Sequence, residues 1–413
     1  MTRTTLEEGV TRRDVLKVAG LTGLGAALYA SGIERLLPRA LTAQATDQVP
    51  FYGTYQAGIL TPVQNHIQLV AFDVQTDRRD ELIDLLRRWT RACARLAAGL
   101  SLGESDSQYV PPEDTGEAEG LSASHLTFTF GCGASLFAGD RFGIAHKRPA
   151  ALRDLPTFDL DQLDDKWSGG DLIVQICADD QQVVFHALRN LTRIGRGVVK
   201  IRWTQAGFQR SKAADATGGT PRNLFGFKDG TGNPDLTKDK VRNKHLFYQW
   251  QDGSPWLTNG TFLVVRRIQM HLEVWDRTIL KEQERTFGRE RASGAPLGST
   301  NEFASVTPDQ RMLHGETPLP ADSHTAVAHG TGKEQLLRRS YSYQAGVNET
   351  TGALDAGLLF VSFQRSPDQF ITIQKRLAAS DRLNEYITHR GSALFACFGG
   401  IQKGGYIGDA LFA

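Results

Sequence analysis

The chain of 413 residues is long enough for two domains, each with its own core. Hydrophobic residues make up 40% and charged residues 23%, which excludes a disordered chain and one built mostly of membrane spans. Lys plus Arg number 47 against 46 for Asp plus Glu, so no net field favours nucleic acid or an anionic membrane surface, and partners must be sought in a site.

Residues 1–45 read as an export signal and not as part of the fold. Arg12-Arg13 stand before an apolar run from Val18 to Tyr29, and Ala43-Gln44-Ala45 supplies a small-residue cleavage pattern. The run is too short and too broken by glycine to span a bilayer. The arginine pair after Thr11, with Leu16-Lys17 behind it, predicts twin-arginine export to the periplasm, the cell surface or beyond. That route carries folded proteins, often with a cofactor already inserted, which is a first hint of a cofactor.

The mature chain opens with a predicted strand, "HIQLVAFDVQ", and a helix, "TDRRDELIDLLRRWTRACARLAAGL". Leu82, Leu85, Leu86, Trp89, Cys93 and Leu96 recur at spacings of three and four, an apolar stripe that must pack on something. After the acidic loop "ESDSQYVPPEDTGEAEG" come strands "HLTFTFG" and "DLIVQICADD", the helix "QQVVFHALRNL" and the strand "GVVKIRWTQAGF". The order strand, helix, strand, strand, helix, strand predicts an α+β unit with helices packed on one face of an antiparallel sheet.

Residues 211–223, "SKAADATGGTPRN", are small and polar and mark a domain boundary, giving units of 46–215 and 216–413. Beyond it "TFLVVRRIQMHLEVW" and "GLLFVSFQ" read as strands and "QFITIQKRLAASDRLNEYI" as a helix. "LLFVSFQRSPDQFITIQKRL" echoes "QLVAFDVQTDRRDELIDLLRR" in the first half, which fits two related domains. Residues 291–323 form a polar connection of a length that is usually functional or mobile.

The cysteines, Cys93, Cys132, Cys177 and Cys397, contain no C-x-x-C, so neither a thiol redox motif nor a zinc site is indicated, and C-x-x-C-H for covalent haem is absent. "GFKDGTGNP", residues 226–234, is rich in turn residues, and Asp229-Gly230 is a strong short turn signal. It lacks the G-K-[ST] of a phosphate loop and the alternating acids of a calcium loop. What remains is a lone carboxyl on a glycine loop, able to approach a flat cofactor and to move a proton. "ADSHTAVAHG" offers His324 and His329, and the strand-like "LLRRSYSY" sends Arg338 and Arg339 to opposite faces. An arginine pointing inward requires an anion or a developing negative charge.

"GFKDG" resembles the G-x-x-D-G signature of the dye-decolorizing peroxidases. "FYGTYQAGILTPVQNH", "LTFTFGCGASLF", "GGDLIVQICADD", "LTNGTFLVVRRIQMHLEVWDR", "DSHTAVA", "LLRRSYSY" and "GLLFVSFQ" resemble further family segments, in order, from about residue 51 onward. The resemblance implies two ferredoxin-like domains, each an antiparallel sheet with peripheral helices, and one b-type haem held mainly by the second. It implies His324 as the iron ligand, Asp229 and Arg338 as the distal pair, and Asn233 as a further distal group. Gly230, Thr231 and Gly232 on one side, and His329, Gly330 and Thr331 on the other, match haem-lining segments. The chain departs from the family at Ala326, where relatives often carry a basic residue. The choice of Arg338 over Arg339 rests on motif alignment, and no acid partner for His324 is apparent.

The implied activity is reduction of hydrogen peroxide with oxidation of dyes, phenols or other small donors, with Trp256, Trp275, Tyr341 and Tyr343 as candidate electron carriers. A second reading is a deferrochelatase that releases iron from haem, working with an iron permease and an iron-binding lipoprotein. A homo-oligomer is compatible with either reading, and the sequence does not fix the oligomeric state.

Overall fold

The computed structural model describes residues 47–103, 107–215, 218–306, 319–349 and 351–413. The expected export signal lies outside the described residues, as do positions 216–217 of the boundary segment and 307–318 of the long polar connection. Among the described residues the strands are β1 (His66–Val74), β2 (Thr127–Gly133), β3 (Leu172–Ala178), β4 (Val199–Phe208), β5 (Thr261–Met270), β6 (Leu337–Arg338), β7 (Tyr341–Val347), β8 (Leu354–Gln364) and β9 (Ile387–Cys397). The helices that matter here are α1 (Arg79–Ala97), α2 (Gln181–Ile194), α3 (Leu280–Phe287), α4 (His324–His329) and α5 (Pro367–Ser380).

All the pairings are antiparallel and run β5-β9-β2-β3-β1-β4-β7-β8, with β8 also pairing β5, so eight strands close into a barrel and short β6 adds to β8. Closure removes the exposed edges that a four-stranded sheet would leave. The first half contributes β4-β1-β3-β2 and the second β7-β8-β5-β9, the same spatial order of a β-α-β-β-α-β unit used twice. The halves join at β2–β9 and β4–β7 within one compact unit, Gln48–Ala413. The sequence echo does not align equivalent elements: it matches β1–α1 with β8–α5, whose counterpart in the first half is β3–α2. Any amphipathic strand–turn–helix produces such an echo.

Strand alternation divides the side chains into two cores. Leu69, Ala71, Leu263, Val265, Leu359, Val361 and Phe395 fill the barrel interior. Phe72, Val74, Val264, Leu394 and Ala396 face outward to an outer layer in which the whole α1 stripe, Leu82 to Leu96, is buried. Trp89 is completely buried and donates its indole N–H to Leu191 O, tying α1 to α2 at 2.9 Å. Asp180 caps α2, its carboxylate accepting from the N–H groups of Gln182 and Val183.

Three predicted elements end differently from expectation. β5 stops at Met270 and "LEVW" forms a helical turn. α5 stops at Ser380, because the side chain of Asp381 accepts from Leu383 N and starts a separate turn over Arg382–Glu385. "LLRRSYSY" divides into β6 and β7. β9 forms where no strand is expected, because the polar "THRGS" at its start interrupts the apolar pattern.

Candidate active site

β5, β8 and β9 carry a second set of side chains on the barrel's outer face, and these form the floor of a cavity of about 440 Å³. Ile268, Met270, Phe360 and Ile387 supply apolar wall from the sheet, and Phe370, Ile373 and Leu377 supply it from α5. His324, Asp229 and Arg338 all line this one cavity.

His324 is the first residue of α4 and packs edge-on against Phe287 at the end of α3. Its Nδ1–H donates to Asp381 Oδ2 at 2.6 Å, and the Asp381 side chain is only 2% exposed. Asp381 is therefore the acid partner that no motif revealed; it lies 57 positions away, just past a helix end. With Nδ1 turned to the Asp381 carboxylate, Nε2 is the ring nitrogen left for a metal, which is the arrangement a metal ligand needs. Burial lowers the His324 pKa, but the charge and hydrogen bond of Asp381 outweigh it and leave the imidazole more basic than usual. The charges of Arg338 and Asp229 also reach His324, in opposite directions.

Asp229 sits between two turns and not within one, contrary to the expectation for Asp229-Gly230. The first turn closes where Asn223 N–H donates to Phe227 O, with Arg222 and Lys228 paired across it. The second closes from Asn233 N–H to Gly230 O. Gly230 has φ of +111°, a conformation that L side chains rarely adopt, so glycine is needed directly after the acid. Arg338 Nη1 donates to Asp229 Oδ1 at 3.2 Å, both side chains being partly exposed.

The two arginines part at the end of β6. Arg338 turns into the cavity, while Arg339 turns the other way, is 3% exposed, and donates to Thr61 O and to Gln64 Oε1. Asn233 braces Arg338: its Nδ2 donates to Arg338 O at 2.8 Å and its Oδ1 accepts from Arg338 N at 3.0 Å. The amide oxygen and one amide hydrogen are thus spent on the backbone of Arg338, which leaves Asn233 its second amide hydrogen.

Gly230, Thr231, Gly232 and His329 line the cavity as expected. Gly330 and Thr331 do not; both are exposed, and the lining from this segment continues instead with Gly332. Alignment by segment cannot resolve which residues of a turn face inward. Of the proposed electron carriers, Tyr341 and Tyr343 are in the barrel interior and Trp256 packs with Phe137 and Phe398. Trp275 lies nearest the cavity, against Phe225 and Phe287, which both line it.

The cavity suits an anionic, largely flat apolar group. Besides Arg338 it holds Arg289, whose pKa is lowered by burial and by the neighbouring positive charge of Arg338. The hydrogen bonds of Arg289 go to the carbonyls of Gly294 and Glu302, neither of them a carboxylate. Arg338 is already paired with Asp229, so Arg289 is the guanidinium that favours a carboxylate-bearing ligand, while Ala326, buried inside α4, offers no charge. Residues that fit haem are therefore present: an Nε2 ligand in His324, apolar walls, and Arg289 for a propionate. Among the described residues there is no cluster of three metal-ligating side chains.

A closed α+β barrel whose outer cavity joins an acid-backed imidazole to an Asp–Arg pair defines a redox enzyme built around a bound group. The chain belongs to the DyP-type peroxidases, an oxidoreductase family. The models for the N-terminal and C-terminal domains of Dyp-type peroxidase match residues 56–209 and 220–402. The deferrochelatase of Escherichia coli (strain K12) is 38% identical over 420 residues, covering 98% of each chain. Ferric DtpA from Streptomyces lividans superposes with a TM-score of 0.83 at 39% identity, covering 91% of this chain and 99% of that one. A DyP-type peroxidase from Cellulomonas bogoriensis gives 0.80 at 40% identity, covering 88% and 98%.

Proposed function

We propose that this chain is an exported peroxidase that binds one non-covalent b-type haem through His324, reduces hydrogen peroxide and oxidises dyes, phenols or other one-electron donors. The observation that carries the reading is that the Asp381-bound imidazole and the Asp229–Arg338 pair share one cavity. The solved relative that is described in ferric and oxyferrous forms, DtpA, supports haem as the group. When bound, haem supplies the ferric iron at which peroxide is reduced and the oxidising equivalents passed to a donor.

The chain's own residues supply the rest. Asp381 holds the imidazole in one orientation and enriches its lone pair. Asp229 accepts the proton from one peroxide oxygen and returns it to the other. Arg338, held through its backbone by Asn233, stabilises negative charge on the departing oxygen. The twin-arginine pattern at Arg12-Arg13 supports export after folding, which suits a protein that must acquire its cofactor first.

The test is the absorption spectrum of the protein as isolated, followed by peroxide turnover of the variants. A Soret band that is lost in His324→Ala, with turnover lost in Asp229→Ala and Arg338→Leu, is the expected set. Intact turnover in both distal variants overturns the distal roles.

A second reading, release of iron from haem, is favoured by the full-length similarity to the Escherichia coli deferrochelatase. It implies an iron permease and an iron-binding protein as partners. Incubation of the haem-loaded protein with a ferrous chelator separates the readings: metal-free porphyrin accumulates only under the second.

A further inference from the structure

The polar connection after α3 does more than link two elements. Its residue Glu302 is nearly buried, with 11% of its side chain exposed, and it reaches the loop that carries Asp229 at two points and the segment before it at a third. Lys228 Nζ donates to Glu302 Oε2 at 2.5 Å, Thr231 Oγ1 donates to Oε1 at 2.9 Å, and Thr220 Oγ1 donates to the same Oε1. Lys228 directly precedes Asp229 and Thr231 follows it by two positions, so one carboxylate grips the acid's loop from both sides. The backbone of the same connection is tied down as well. Arg222 donates to the carbonyls of Arg291 and Ala292, and Arg289 to those of Gly294 and Glu302. Gly294 keeps the space open, since a Cβ there would lie 2.5 Å from the Lys228 Cδ.

We infer that Glu302 is a positioning residue for Asp229: it fixes the 228–231 segment so that the Asp229 carboxylate faces Arg338 and the cavity. This rests on the proposed role of Asp229 as the proton carrier. The physical ground is that a flanked acid on a glycine-containing loop has several accessible orientations, and two charge-assisted or hydroxyl tethers to a nearly buried carboxylate remove most of them. Lys228, a free position of the G-x-x-D-G signature, thereby acquires a role.

The experiment compares Glu302→Ala, Glu302→Gln and Lys228→Met with wild type and with Asp229→Ala, using haem-loaded protein for turnover and both haem-free and haem-loaded protein for amide hydrogen exchange. Glu302→Ala is expected to lower kcat/KM for peroxide by roughly tenfold to a hundredfold, the effect of a displaced catalytic group, with the KM for the donor unchanged. Exchange at residues 228–233 rises by about tenfold in both forms. Glu302→Gln, which still accepts from both threonines, recovers part of the loss, and Lys228→Met shows a smaller loss of the same kind and serves if Glu302→Ala does not fold. The inference is overturned if Glu302→Ala or Lys228→Met leaves kcat/KM and exchange at 228–233 as in wild type, even with a lower melting temperature. Unchanged turnover in Asp229→Ala overturns the proposed role of Asp229 instead, so the two failures are distinguishable.

Discussion

Replacing Asp381 with Asn removes one charge and changes few atoms, and the structure sets what it costs. Asp381 accepts on both oxygens, from His324 Nδ1 at 2.6 Å and from Leu383 N at 2.9 Å. Asn has a single carbonyl oxygen, so it satisfies the imidazole or the backbone N–H and turns an amide hydrogen towards the other. With a side chain 2% exposed, water does not replace the lost partner. Losing a buried hydrogen bond to a charged group costs about 1.5–3 kcal/mol, which matches the roughly tenfold to hundredfold loss of metal affinity when such a partner is removed. The assay is transfer of haem from the loaded variant to an excess of a haem-free acceptor protein. Dissociation accelerated by about one to two orders of magnitude is expected. A dissociation rate equal to that of wild type would refute the argument that Asp381 orients and enriches His324.

The remaining predictions concern stability and the two arginines. His389, which also lines the cavity, has its pKa lowered to about 3 by burial and by Arg266, against 6.5 when unfolded, so between these values only the unfolded chain carries the extra proton. Stability is full above pH 6.5 and falls as pH drops towards 3, by up to about 1.4 kcal/mol per unit; urea midpoints across that window check this, and His389→Gln flattens the slope. Gly357→Ala places a Cβ 1.9 Å from Ile268 O in the β5–β8 ladder and is expected to lower stability by about 3 kcal/mol or more, read from thermal unfolding. Arg339→Leu leaves Thr61 O and Gln64 Oε1 without their donor and costs about 1–3 kcal/mol while peroxide turnover persists in the folded fraction. Arg338→Leu gives the opposite pattern, with near-normal stability and lost turnover.

Much of the fold was legible because its signals are local. The α1 stripe at spacings of three and four and the alternation of β4 both follow from which face must be buried. The closed barrel was not derivable from those patterns: β2–β9 and β4–β7 join segments more than a hundred residues apart, and β4–β7 rests on the single pair Phe208–Ser342. In the site, Asp229, His324 and Arg338 stand in short motifs and were found. The contacts that bring Asp381 to His324 and Glu302 to Lys228 are tertiary, and nothing in "AASDRLN" or "STNEFAS" distinguishes a buried acid from a solvated one. Asn233 stands in the same short motif as Asp229, but its bonds to the backbone of Arg338, 105 positions on, are not legible in it.

The central claim is that Asp229 moves the peroxide proton in a haem-loaded cavity. Its most direct measurement is the rate at which hydrogen peroxide changes the resting absorption spectrum under rapid mixing, compared between wild type and Asp229→Asn with equal haem content. A fall of about a hundredfold or more in the variant is predicted for loss of a positioned acid–base group. Equal rates in the two proteins, with His324-dependent haem binding intact in both, would contradict it.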